Sequence, residues 1–75
     1  MNEQEQEILR ILQEECAEVI QAISKVFRFG LYATHPDTPK ITNQVSLHQE
    51  IGDVLAMIDL LEKTGVVDNN KLVQC

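Results

Sequence analysis

Five carboxylates gather in two short clusters, Glu14-Glu15-x-x-Glu18 and, downstream, Glu50-x-x-Asp53. At about 100° per residue, Glu15 projects into the middle of the apolar arc made by Ile8, Leu12, Cys16, Val19, Ile23 and Val26. Glu18 lies at the rim of that arc and Glu14 just outside it. The second cluster repeats the arrangement, with Glu50 between Met57 and Val54/Leu61 and Asp53 at the border. An acidic face that served only solubility would lie opposite the hydrophobic stripe. An unpaired carboxylate inside a packed interface costs much of the stability available to a small domain, so a cation is expected among these acids. A divalent metal is the simplest one. Magnesium, or manganese, prefers oxygen ligands in near-octahedral geometry and shares its positions between carboxylates, water and phosphate. Four or five carboxylates suit two such ions. Neither cluster has a histidine one turn after a glutamate, the pattern of di-iron carboxylate bundles, which disfavours iron.

The elements that must position these acids are two helices. Apolar residues at 8, 11, 12, 16, 19, 20, 23 and 26 have amphipathic spacing and predict helix 1 from about Glu3 to Val26, ending near Arg28-Phe29-Gly30, where glycine can take a left-handed backbone. Pro36 and Pro39 rule out a regular helix between Leu31 and Thr42. Helix 2 is expected to start at Asn43, or at Ser46 through a Ser46-x-x-Gln49 capping box, and to run to a stop at Gly65. Asp68 is positioned to cap one more helical turn through Lys71-Leu72-Val73. No strand-like alternation is evident. The expected fold class is therefore all-α: an antiparallel helical hairpin, residues 1–75 forming one domain. One such hairpin leaves part of its hydrophobic layer uncovered. Self-association into a four-helix bundle would cover it and bring Glu15, Glu18, Glu50 and Asp53 to one site.

Size and composition agree with this reading. A chain of 75 residues buries only about 60–65% of its unfolded surface, so partner subunits are expected. A net charge of −6 opposes binding to a nucleic acid polymer. The polar, acidic amino terminus is unlike a signal peptide, and no apolar run approaches the roughly 20 residues that span a bilayer. Cys16 falls on the apolar face and Cys75 ends the sequence, with no disulfide framework or zinc spacing. A cytoplasmic location without membrane contact is expected.

Leu12-Gln-Glu-Glu-Cys-Ala-Glu-Val19 followed by Glu50-Ile-Gly-Asp-Val-Leu55 resembles the signature of the MazG-like members of the all-α nucleoside triphosphate pyrophosphohydrolase superfamily. The resemblance covers roughly Leu9 to Leu61. It implies hydrolysis of a nucleoside triphosphate between the α and β phosphates, giving monophosphate and pyrophosphate, by a homodimer or homotetramer. Carried over by motif position, Glu15, Glu18, Glu50 and Asp53 match metal-binding residues, with Glu15 also counted in the catalytic set. Glu14 matches the motif's first glutamate, which either accepts a proton from the attacking water or binds a further metal. No protein nucleophile is required, because phosphoryl transfer depends mainly on positioning and electrostatics.

Other residues carry weaker signals. Lys25 continues the Glu14/Glu18 edge and Arg28 follows within one turn, so both are candidates for binding the triphosphate. The competing reading makes them solvated bases favouring the helix macrodipole. His35 and His48 are expected at the surface. Gly52, costly inside a helix, suggests close approach by another helix or by substrate. Phe27, Phe29 and Tyr32 cluster after the first helix and are expected mainly to pack. Related activities of the same superfamily, directed at dUTP or dCTP or at phosphoribosyl-ATP, would use the same carboxylates. A non-catalytic acidic helical dimerisation module would instead keep its acids exposed and indifferent to metal.

Overall fold

The computed structural model describes residues 1–74, so the reading of Cys75 lies outside the described residues. The chain forms helix α1 (Glu3–Phe29), a short ribbon of strands β1 (Thr34–His35) and β2 (Thr38–Thr42), helix α2 (Asn43–Lys63) and a short helix α3 (Asn69–Gln74). It is mostly helical, as expected, and its two long helices pack on each other.

Helix α1 begins with a capping box. The Asn2 side chain accepts from the Glu5 N–H at 2.7 Å, and Glu5 accepts in return from the Asn2 N–H at 3.0 Å, satisfying donors that a helix start leaves unpaired. The helix ends at Gly30, whose N–H donates to the Val26 carbonyl and whose φ is 99°. Glycine is suited to that backbone because it has no Cβ to clash.

The proline-bearing segment is non-helical, but it is not a plain loop. Pro36 and Asp37 lie at the turn between two strands whose partners are Thr34 with Thr42 and His35 with Thr38. Neighbours on β1 thus face residues four apart on β2, so Pro39, Lys40 and Ile41 bulge from the ladder. Pro39 has no N–H to donate to a ladder, which is why proline in a ribbon sits at an edge or a bulge.

This ribbon is tied to both helices. The Asn43 and Gln44 N–H groups donate to the Ala33 and Leu31 carbonyls, each at 2.9 Å. The Asn43 side-chain amide donates to the Gly30 carbonyl at 2.9 Å. Helix α2 starts at Asn43, with the Thr42 hydroxyl accepting from the Val45 N–H, so Ser46 is inside the helix and caps nothing. At the other end the Val66 N–H reaches the Leu61 carbonyl and the Gly65 N–H the Glu62 carbonyl. With Gly65 at φ 82°, this is a Schellman stop. The Asp68 carboxylate accepts from the Asn70 N–H and caps α3.

The core is thin. Only Ile8, Ala22 and Leu61 are fully buried among the described residues, while Leu12, Val19, Val26, Val54 and Met57 are half-buried. Three sequence expectations need correction. Cys16 is exposed rather than inside the packed seam. The aromatics do not pack: Phe27 is 86% exposed, and Phe29 and Tyr32 are also open. A Cβ added at Gly52 would meet nothing within 4 Å, so no helix of this chain approaches it.

Exposed apolar residues form a pattern. Ile20, Ile23 and Phe27 follow one another at helical spacing on α1, as Ile51 and Leu55 do on α2, and all are exposed. Measured from the α1–α2 seam, both sets rotate in the same sense along their own helices. In an antiparallel pair that places them on the same side of the hairpin, opposite Glu18 and Asp53.

Candidate functional site

The α1–α2 seam brings the two acidic clusters together. Glu15, one helical turn after Leu12 and one before Val19, faces α2 because its neighbours along the stripe do. Glu50 occupies the equivalent place between Leu47 and Val54. One carboxylate oxygen from each of Glu15, Glu50 and Asp53 lies within 4.8 Å of the others. Glu15 and Glu50 are half-buried and Asp53 is exposed.

Glu18 joins them at the rim. Its charge bears on both Glu15 and Glu50. Glu14 is exposed and contributes a weaker repulsion to Glu15. Among the described residues no lysine or arginine pairs with this cluster; Lys63 binds Asp59 one turn away on the outer face of α2 at 2.9 Å.

The electrostatic consequence is frustration. Loss of hydration, followed by the charges of Glu18 and Asp53, raises the Glu15 carboxyl above its ordinary value of 4.5. The close approach of the Glu18 side chain, then lost hydration, then the neighbouring charges raise Glu50. Both shifts disfavour the charged form. The Oε2 atoms of Glu15 and Glu50 are buried and have no hydrogen-bond partner. A buried acceptor is ordinarily satisfied, and an acceptor-only carboxylate can be satisfied by a donor or a cation. The all-oxygen donor set, its mutual proximity and these two orphaned atoms fit a hard divalent ion.

Beside the acids runs a cleft of about 260 Å³ bordered by Glu18, Gln21, Lys25, Ser46 and Glu50. Lys25 therefore flanks the cluster, on the side that its helical position suggests. Arg28 does not line this cleft; its guanidinium lies 5.0 Å from the centre of the Phe29 ring. His35 and His48 are exposed, as expected. A larger cleft of about 590 Å³ lies beside the first at the ribbon, sharing Lys25, Asn43 and Ser46 and adding Phe29, His35 and Ile41. Sequence reasoning missed it. The available signal was the run of β-branched residues Thr34, Thr38, Ile41 and Thr42 about Pro36-Asp37, which favours a turn-connected ribbon.

No helix among the described residues is long and apolar enough to cross a membrane. No curated protein and no solved structure gives a significant match to the chain. A family model, the MazG nucleotide pyrophosphohydrolase domain, matches residues 3–70, a span that takes in both long helices, the ribbon and all five carboxylates. The chain belongs to the MazG nucleotide pyrophosphohydrolase domain family.

Proposed function

We propose that this protein is a metal-dependent nucleoside triphosphate pyrophosphohydrolase that releases a nucleoside monophosphate and pyrophosphate. The observation that carries the reading is the pair of buried, unpartnered Oε2 atoms on Glu15 and Glu50, two residues whose carboxylates meet in the α1–α2 seam. An acidic surface for a basic partner would not place its carboxylates there. Glu15, Glu18, Glu50 and Asp53 would hold magnesium, with manganese as a substitute. Bound there, the metal would supply positive charge against polyphosphate oxygens and lower the pKa of water.

The protein's own groups supply the rest. Glu14, exposed beside the cluster, would accept the proton of the attacking water or bind a further metal. Lys25 reaches into the cleft next to Glu18 and would bind a phosphate oxygen. Arg28 would act only at the outer edge of the substrate, since its side chain lies over Phe29.

The assembly belongs to the same proposal. The accessible surface of 5802 Å² exceeds the roughly 4,700 Å² expected of a compact monomer of this mass. A second copy covering Ile20, Ile23, Phe27, Ile51 and Leu55 would complete a four-helix bundle as a homodimer, or a homotetramer by a further pairing.

The activity is tested with a panel of nucleoside triphosphates and magnesium, analysed for pyrophosphate against orthophosphate. Pyrophosphate release that is abolished by a chelator is the expected result. Orthophosphate alone, or full turnover in excess EDTA, would overturn it.

A further inference from the structure

We infer that the larger cleft, between the end of α1 and the β1–β2 ribbon, holds the nucleoside half of the substrate and is where base preference is set. This rests on the pyrophosphohydrolase reading of the neighbouring acids. The two clefts adjoin, since Lys25, Asn43 and Ser46 line both. Along that path the chemistry changes from carboxylates, through one lysine, to Phe29, Pro36 and Ile41. A metal-bound nucleotide changes in the same order, from polyphosphate to sugar to an aromatic base. At about 590 Å³ the outer cleft has the size of a small-molecule site, room enough for a purine or pyrimidine with its sugar.

Three residues have defined tasks there. Phe29 is 61% exposed and lines the cleft; the Arg28 guanidinium lies over its ring, and a base would stack on the opposite face. Ile41 is carried into the cleft by the bulge opposite His35 and supplies an apolar wall. The Asp37 N–H donates to the His35 Nδ1 at 3.1 Å and the Asp37 carboxylate lies 3.6 Å from the same nitrogen, which leaves the Nε2–H as the ring N–H that Asp37 does not engage. That N–H is a donor suited to a base carbonyl, and it makes His35 the residue that discriminates among bases. Asn43 holds the ribbon end in register through Gly30 and is a positioning residue.

Binding, separated from turnover, tests this. Calorimetry with magnesium would compare inorganic tripolyphosphate with α,β-imido nucleoside triphosphates, which cannot be cleaved between the α and β phosphates. The native protein should bind its preferred nucleotide at least about ten-fold more tightly than tripolyphosphate, the scale of one base–aromatic stack. Phe29→Ala and Ile41→Ser should each remove most of that advantage and leave tripolyphosphate affinity unchanged, which also reports that the variants are folded. His35→Ala should change the ranking of the bases. Equal affinity for tripolyphosphate and every nucleotide, or an advantage that survives both Phe29→Ala and Ile41→Ser, would overturn the inference. Pyrophosphate release is read separately: a protein that binds the analogues here but cleaves no triphosphate contradicts the enzyme reading alone.

Discussion

Glu15 and Glu50 differ from the other acids of this chain because helical phase turns them towards the apolar seam. Their Oε2 atoms lose water without gaining a protein donor. Glu15→Gln and Glu50→Gln should each slow pyrophosphate release by about 100-fold or more, the scale of removing one preorganised electrostatic group; steady-state rates that stay near the native value would refute the site. The raised carboxyls also set a pH dependence in the metal-free protein. A carboxyl whose folded pKa is raised binds more protons folded than unfolded, so stability falls as pH rises from the ordinary value of 4.5 through the raised one. Urea unfolding without metal should therefore show higher stability at about pH 5 than at about pH 7, with a smaller gain in either amide variant. An equal gain in all three proteins would assign the effect elsewhere. The seam position of both glutamates was legible from spacing alone, and so was the placing of Lys25 on the helix edge that carries Glu18. The course of Arg28 was not, because a long side chain near a helix end has a choice of partners that periodicity does not encode.

At the scale of elements, periodicity identified both long helices, and Gly30 and Gly65 marked their ends, since each has positive φ. Gly30→Ala should destabilise the protein by about 1 kcal/mol or more, because alanine at that backbone angle is strained. Denaturant melts that show no loss would place the helix end elsewhere. The start of α2 was ambiguous between Asn43 and Ser46. Thr42 prevailed because the carbonyls of Leu31 and Ala33 are already in place to accept the first free N–H groups of the helix. That is a tertiary fact, invisible to a local capping rule. The ribbon was hidden for a related reason: its ladder is interrupted by a bulge of three residues, so no alternating pattern survives. The cleft that the ribbon forms could not be read without it.

For the whole molecule, the thin core and open apolar side support the proposed self-association. Its radius of gyration is 15.0 Å, against about 11 Å for a compact chain of this length. Light scattering at low micromolar concentration should show at least a dimer, with a melting temperature that rises with protein concentration; a folded monomer of 8.5 kDa would contradict it. An incompletely covered apolar layer was legible from length and amphipathicity, but the inner arc was misassigned by including Cys16 and Ile23, both of which are exposed. Both belong to the outer side, about a quarter-turn from the seam. The central claim, that the acid cluster is built for a cation, is tested most directly by thermal melts of the native protein, Glu15→Gln and Glu50→Gln, with and without magnesium. Crowded carboxylates oppose folding when no ion is bound, and an ion that binds only the folded state stabilises it. Both amides should melt higher than the native protein without metal and gain less when magnesium is added; equal responses to metal in all three, with no advantage to the amides in its absence, would show that these acids are merely solvated.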